Sequence, residues 1–209
     1  MTTPDTKNRI LDTAEALFAE NGFVATSVRA ITAAAGVNLA AVHYHFGSKK
    51  ALFQEVYSRR FLPINEERLK RLDALESHHG DAAPPLGQVL EALLHPALRM
   101  ARTTRGTCMK LAGRAFTEPG DHWVPLKQQF DRVKDRYLGV LRRILPSLSN
   151  AELHWRVHFM VGAVCHTLAG TEPLREFSGG LCNPSDVDAV LEQLMPFLAA
   201  GFRAPAMQE

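Results

Sequence analysis

The chain has 209 residues, of which 46% are hydrophobic and 22% charged, with a formal net charge of +2 at pH 7. Such a composition suits a soluble globular protein with a sizeable core, and it excludes wholesale disorder. No basic head with an apolar run opens the chain and no run reaches roughly 18 apolar residues, so neither a signal peptide nor a membrane span is expected and the expected location is cytoplasmic.

The elements predicted in chain order are all helical. Ile10, Ala14, Leu17 and Phe18 recur at i, i+4, i+7 and i+8, the apolar face of a first helix. Asn21-Gly22 is expected to stop it, with Gly22 in a left-handed C′ position. Thr26 and Ser27 are candidate N-caps of a second helix whose Val28, Ile31 and Ala35 face inward, and Gly36 breaks it. Asn38 caps a third helix. Gly47-Ser48 ends the third and caps a fourth over 49–75. SHHGDAAPP at 77–85 is a loop. Further helices are expected over 86–102, 107–116, 124–145, 150–169 and 185–202. Ser149 and Glu152 form an S-x-x-E capping box for one of these, and Pro196 should kink the last. The class is all-α, with about nine helices.

Two short helices joined by a glycine turn, behind a packing helix, have the spacing of a helix-turn-helix, although plain helical bundles share it. Within AGVNLAAVHYHFGSKKALF (35–53), Val42 and Phe46 share an inward face. His43 and His45 lie about 200° apart around an α-helix and cannot chelate one ion together. No Cys, Asp or Glu lies between Gly22 and Gln54, so neither a zinc site nor a carboxylate-oriented catalytic histidine fits. A nucleic-acid surface uses every unusual residue. Ala40 and Ala41 permit close approach, Leu39 and His43 face the bases, and Tyr44 and His45 diverge toward phosphates. Ser48 opens a helix N-terminus with Lys49 and Lys50 beside it, Thr26 and Ser27 offer the same chemistry at the start of the second helix, and Arg29, one turn in, can reach a phosphate or a guanine. Residues 21–60 carry five bases (Arg29, Lys49, Lys50, Arg59, Arg60) against one acid, Glu55. A phosphate-facing surface needs such a local excess, though a solvated helix face carries one too.

The 157–170 run is apolar on nearly every side and must be covered all round. Either it is the central helix of a monomer, or a second copy covers it in a C2 homodimer built from the last two helices. The dimer reading places Val157, Met160, Val161, Val164, Val187, Leu191, Leu194 and Leu198 at the interface. Met100, Met109, Phe116, Trp123, Phe130, His158 and Cys165 are candidate linings of an apolar pocket. Arg102, Arg105 and Arg114 are candidates for an anionic ligand group, against the alternative of solvated surface arginines.

Residues 8–53 resemble the N-terminal domain of TetR-family transcriptional regulators, through RILDTAEALFAENGF, TSVRAITAAAGV, a recognition helix ending YHF, and GSKKALF. The resemblance implies phosphate contacts from Thr26, Ser27, Tyr44, His45 and Lys49, and base reading around Leu39–His43, with Asn38 at the same edge. His43 stands where the family most often has tyrosine, so a family operator is not carried over. The resemblance also implies a DNA-binding domain at 1–50 and a helical domain at 51–209 that dimerises and encloses an effector pocket. The implied function is a repressor released from a palindromic operator by a small apolar effector, with no cofactor and no enzyme activity. GVNLAAVHYHFGSKKAL is further similar to proteobacterial regulators of fatty-acid degradation, which implies a fatty acid or acyl-CoA as effector.

Two rival readings stand beside it. One is a DNA-binding regulator with no small-molecule effector. The other is a helical metal-binding protein using His154 and His158, which lie at i, i+4. The three cysteines (Cys108, Cys165, Cys182) are far apart without C-x-x-C, which favours reduced thiols over a disulfide framework or zinc knuckle.

Overall fold

Short-range capping chemistry sets the boundaries of the first helices. The computed structural model describes residues 3–104, 106–118, 120–168 and 172–206; the side chains of 3, 4, 115–117, 123, 125, 126, 168, 172 and 173 lie outside the description. Helix α1 spans Thr3–Ala25, α2 Val28–Ala35, α3 Leu39–Phe46 and α4 Lys49–His79. Ser27, Asn38 and Ser48 each accept from the backbone N–H three residues on, at 3.0, 2.9 and 3.0 Å. Each side-chain oxygen satisfies a helix-end donor that has no intrahelical partner.

Gly22 kinks α1 instead of ending it, and its backbone (φ 81, ψ 173) is not the left-handed stop expected. The reason is tertiary. The Phe23 N–H donates to Glu118 Oε2 at 3.0 Å, and Thr26 Oγ1 donates to the Gly22 carbonyl at 2.7 Å. Partners from elsewhere hold the chain in a turn that helix geometry alone would not choose.

Beyond the loop come α5 (Leu86–Thr103), α6 (Thr107–Thr117), a short 3-10 turn (Asp121–Trp123), α7 (Val124–Ile144) and α8 (Asn150–Leu168). Then follow α9 (Glu172–Phe177), absent from the expectation, and α10 (Val187–Arg203). The capping box at α8 closes both ways: the Ser149 N–H donates to Glu152 Oε2 at 2.9 Å and the Glu152 N–H to Ser149 Oγ at 3.2 Å. No strand occurs among the described residues, so the class is all-α. No described helix is long and apolar enough to cross a membrane.

The core joins the two ends of the molecule. Helix α4 packs on α1, α5 and α7, and α1 also packs on α6. Phe18, Phe53 and Tyr57 are fully buried, with Phe18 edge-on to Phe53 at 5.1 Å between centroids. Each such side chain contributes about 1.5–3 kcal/mol by burial. Glu15 is buried between α1 and α4 and accepts from Arg59 Nη2 at 2.7 Å and Arg60 Nε at 2.8 Å. The local basic excess therefore overstates the DNA-facing charge, because these two arginines are consumed in the α1–α4 joint.

Candidate DNA-binding surface and ligand cavity

Helix α3 turns Val42 and Phe46 into the core and leaves Asn38, Leu39, Ala40, His43 and Tyr44 exposed, with Ala41 and His45 half-buried. Tyr44 is 79% exposed, so its phenol is free to reach a phosphate. His43 Nδ1 lies 3.1 Å from the Gly47 carbonyl. A carbonyl only accepts, so Nδ1 carries a proton and donates, which leaves Nε2 as the ring nitrogen not held by the backbone. Arg29 is exposed and forms no ion pair among the described residues.

Three assignments shift in role. Thr26 is 2% exposed and its hydroxyl donates to the carbonyls of Leu17 and Gly22, so it ties α1 to α2 and offers no hydroxyl to DNA. Lys50 pairs with Asp121 at 2.9 Å, which ties α4 to the 3-10 turn. Lys49 donates to the Val24 carbonyl at 3.3 Å and sits over the Phe23 ring at 4.4 Å, with two ammonium donors to spare. Desolvation lowers its pKa, opposed by the nearby Glu118 charge.

Helices α4 to α8 line an open-sided cavity of about 1280 Å³. Met109, Phe130, His158 and Cys165 line it, with Tyr57, Phe61, Leu94 and Tyr137. Met100 does not line it; it packs partly buried against the core, and its carbonyl accepts from Thr104. The side chains of Phe116 and Trp123, and Arg105 altogether, lie outside the described residues. Arg102 pairs at the surface with Asp188 at 3.0 Å, away from the cavity wall. Burial raises the Cys165 thiol to about 11 and the Cys108 thiol to about 12, so both stay protonated and unreactive at neutral pH.

Arg114 lies on the cavity wall, but its guanidinium is engaged elsewhere. It donates from Nε to the Ala19 carbonyl at 2.9 Å, from Nη2 to the Glu20 carbonyl, and from Nη1 to Glu118 at 2.9 Å. Glu118 in turn accepts from Phe23. The C-terminal end of α1 is therefore held by α6 through one arginine and one glutamate, and Ala19 and Glu20 also border the cavity. His122 stacks on Phe23 at 4.1 Å and completes this joint.

Comparison with known proteins settles the family. A family model described as "Tetracyclin repressor-like, C-terminal domain" matches residues 91–201, over half of the chain, and one for "Bacterial regulatory proteins, tetR family" matches residues 10–56. The chain belongs to the TetR family. TetR-family proteins are DNA-binding transcriptional regulators and not enzymes. A curated relative, the HTH-type transcriptional regulator AcrR of Shigella flexneri, is 34% identical over 91 residues, 44% of this chain. That match spans only 40% of the relative's length. A TetR-like transcriptional regulator from Rhodococcus sp. RHA1 shares the fold with a TM-score of 0.62 at 20% identity, over 98% of this chain and 100% of that one. The SmeT–triclosan complex gives 0.60 at 20% identity, over 94% of this chain and 90% of that one.

In this TetR chain four of the eight residues expected at a dimer interface turn into the core. Met160, Val164, Leu194 and Leu198 are between 3% and 8% exposed, packed into their own subunit. Val157 and Val161 line the cavity, and Val187 and Leu191 pack partly buried against the core. Turned outward instead are Trp155 and Phe159 on α8, stacked at 5.6 Å, and Phe197 on α10, each 59–67% exposed. His154 and His158 are exposed at the cavity edge, and no cluster of three His, Cys, Asp or Glu suited to a metal occurs among the described residues.

Two residues of the TetR cavity and its joint were missed in the sequence. Glu118 sits in TEPGD, which reads as a plain loop. Arg68 carried a usable signal: with Phe61, Ile64, Asn65 and Leu72 it falls on the buried stripe of α4 at i, i+3, i+4, i+7 and i+11.

Proposed function

We propose that this protein is a homodimeric repressor whose operator affinity falls when a small apolar effector enters the cavity between α4 and α8. The observation that carries the reading is the double position of Arg114, on the cavity wall and on the terminal carbonyls of α1. A ligand that displaces α6 by a fraction of an ångström must move the end of α1 with it. Helices α2 and α3 pack on α1, so the recognition helix follows. Coupling of this kind requires only that the ligand fit one arrangement better than the other.

Ser27, Arg29, Tyr44, His45 and Lys49 serve as phosphate contacts, and Leu39 to His43 read bases. Two copies meet through the outward faces of α8 and α10, centred on Trp155, Phe159 and Phe197. Large aromatics exposed on both helices, two of them stacked, are what a second subunit would cover. The protein acts in the cytoplasm, where operator DNA lies. The resemblance of the recognition region to regulators of fatty-acid degradation points to a fatty acid or acyl-CoA as effector. The experiment is fluorescence anisotropy on DNA from the region upstream of the gene, with decanoate and decanoyl-CoA as probes. The expected outcome is salt-sensitive specific binding that either probe reverses; specific binding that no apolar ligand moves would favour a regulator without an effector.

A further inference from the structure

Arg68 projects from the middle of α4 into the cavity wall, surrounded by Tyr57, Tyr137, Leu93 and Cys165. Two of its five N–H donors are satisfied, Nε by the Leu93 carbonyl at 2.7 Å and Nη1 by Asn65 Oδ1 at 3.0 Å. No carboxylate pairs with it among the described residues, although eleven other lysines and arginines pair with carboxylates elsewhere, from Lys7 with Glu55 to Arg143 with Glu76. The nearest ionisable neighbours supply no negative charge either. Burial pushes the Tyr57 and Tyr137 phenols far above their ordinary range, and Tyr137 spends its hydroxyl on the Arg68 carbonyl. Cys165, raised to about 11, stays a neutral thiol.

A guanidinium cannot escape this position by losing its proton. A half-buried charge with no carboxylate beside it is costly, and a site that keeps one is built for a counter-charge that arrives later. Elsewhere on the wall Arg114 is paired with Glu118 and Lys134 with Asp131, which leaves Lys110 and Lys127 against Glu20 among the described lining residues without an ion pair.

We propose that Arg68 anchors the carboxylate of an amphipathic acid whose apolar body fills the cavity. The anchor selects a carboxylate for three reasons. Its planar fork has three N–H donors left, enough for a bidentate pair. One cation matches one negative charge, whereas a phosphate monoester dianion would bury a second charge unpaired. An acyl thioester would present a neutral carbonyl to the same fork. The inference rests on the effector reading above and names the chemistry that effector must carry.

The test uses three chain-matched probes on the full-length protein: decanoate, decan-1-ol and decylamine, each below its micelle concentration, read by calorimetry and by operator release. Decanoate should bind about 10- to 100-fold more tightly than decanol, the span expected when charge-assisted hydrogen bonds are lost, and decylamine should bind weakest. In Arg68→Met the decanoate affinity should fall to that of decanol, while decanol itself shifts little. Equal affinities for decanoate and decanol in the wild type, a preserved preference in Arg68→Met, or tightest binding of the amine would each overturn the anchor. Should Arg68→Met not fold, the wild-type ratio decides alone, because it needs no substitution. The two readings fail differently. If decanol releases the operator as well as decanoate does, the effector reading stands and the anchor falls. If no probe binds or releases DNA, the effector reading fails and takes the anchor with it.

Discussion

The Arg114 guanidinium and the Ala19 carbonyl, 95 residues apart in sequence, form a 2.9 Å hydrogen bond that joins the cavity wall to the end of α1. Removing it should separate sensing from DNA binding. In Arg114→Met, operator affinity in the absence of effector is expected to change by less than about three-fold, while the effector-induced loss of affinity disappears. Each buried hydrogen bond lost costs about 1 kcal/mol, so thermal stability should drop modestly. Titration of operator DNA with and without decanoate reads both effects; an undiminished effector response would show that the signal takes another route.

Gly22 is required twice over. Its positive φ of 81° costs any other residue about 1–3 kcal/mol, and a Cβ there would strike the Glu118 carboxylate. Gly22→Ala is expected to lower the melting temperature and weaken DNA binding. Gly22→Ala combined with Glu118→Ala should regain only the steric part, giving a coupling of measurable size in a double-mutant cycle. Strict additivity of the two substitutions would contradict the contact.

His43 and Tyr44 should fail in different ways. The His43 ring, held by Gly47, offers its second nitrogen, Nε2, to base edges in the major groove. His43→Ala should relax the preference at one base pair per half-site, at about 1–3 kcal/mol, and leave the salt slope unchanged. Tyr44→Phe should weaken all sequences alike, and Arg29→Ala should reduce the slope of log K against log salt by about one per protomer. Binding of a randomised half-site library across a salt series separates these patterns.

The outward and inward faces of α8 give a direct contrast. Phe159→Glu is expected to yield a folded monomer in sedimentation, with operator affinity lost because two half-sites are no longer bridged. Met160→Ala, one residue on but 3% exposed, should stay dimeric and lose about 2–5 kcal/mol of stability. Should Phe159→Glu sediment as a dimer, the interface lies on another face.

Acid should loosen the joint between α1 and the 3-10 turn. Desolvation lowers the His122 pKa from its ordinary 6.5, with Glu118 and Asp121 opposing and Lys50 and Lys49 assisting. The folded state therefore holds this proton less tightly than the unfolded state does. The neutral ring's stability contribution is complete above about pH 6.5 and is lost as pH falls toward the depressed value. The melting temperature should decline more steeply below pH 6.5 in the wild type than in His122→Phe, which keeps the stack on Phe23 and cannot be protonated.

The sequence by itself determined the helix-turn-helix. Its caps link residues three apart (Ser27 with Ala30, Asn38 with Ala41, Ser48 with Ala51), and Val42 and Phe46 define the inward face four apart. Such short-range contacts follow from chain geometry alone. Tertiary structure decided which charges remain for DNA and ligand. Arg59 and Arg60 look like phosphate contacts until Glu15, 44 and 45 residues away, closes on them, and Lys50 until Asp121 does, 71 residues away. It also decided the faces of α8, because a helix apolar on every side carries no periodic signal to say which side the subunit keeps. Arg68 falls between the two cases. Its place on the buried stripe of α4 is legible in the sequence, but only the folded cavity shows a cation with no carboxylate paired to it among the described residues.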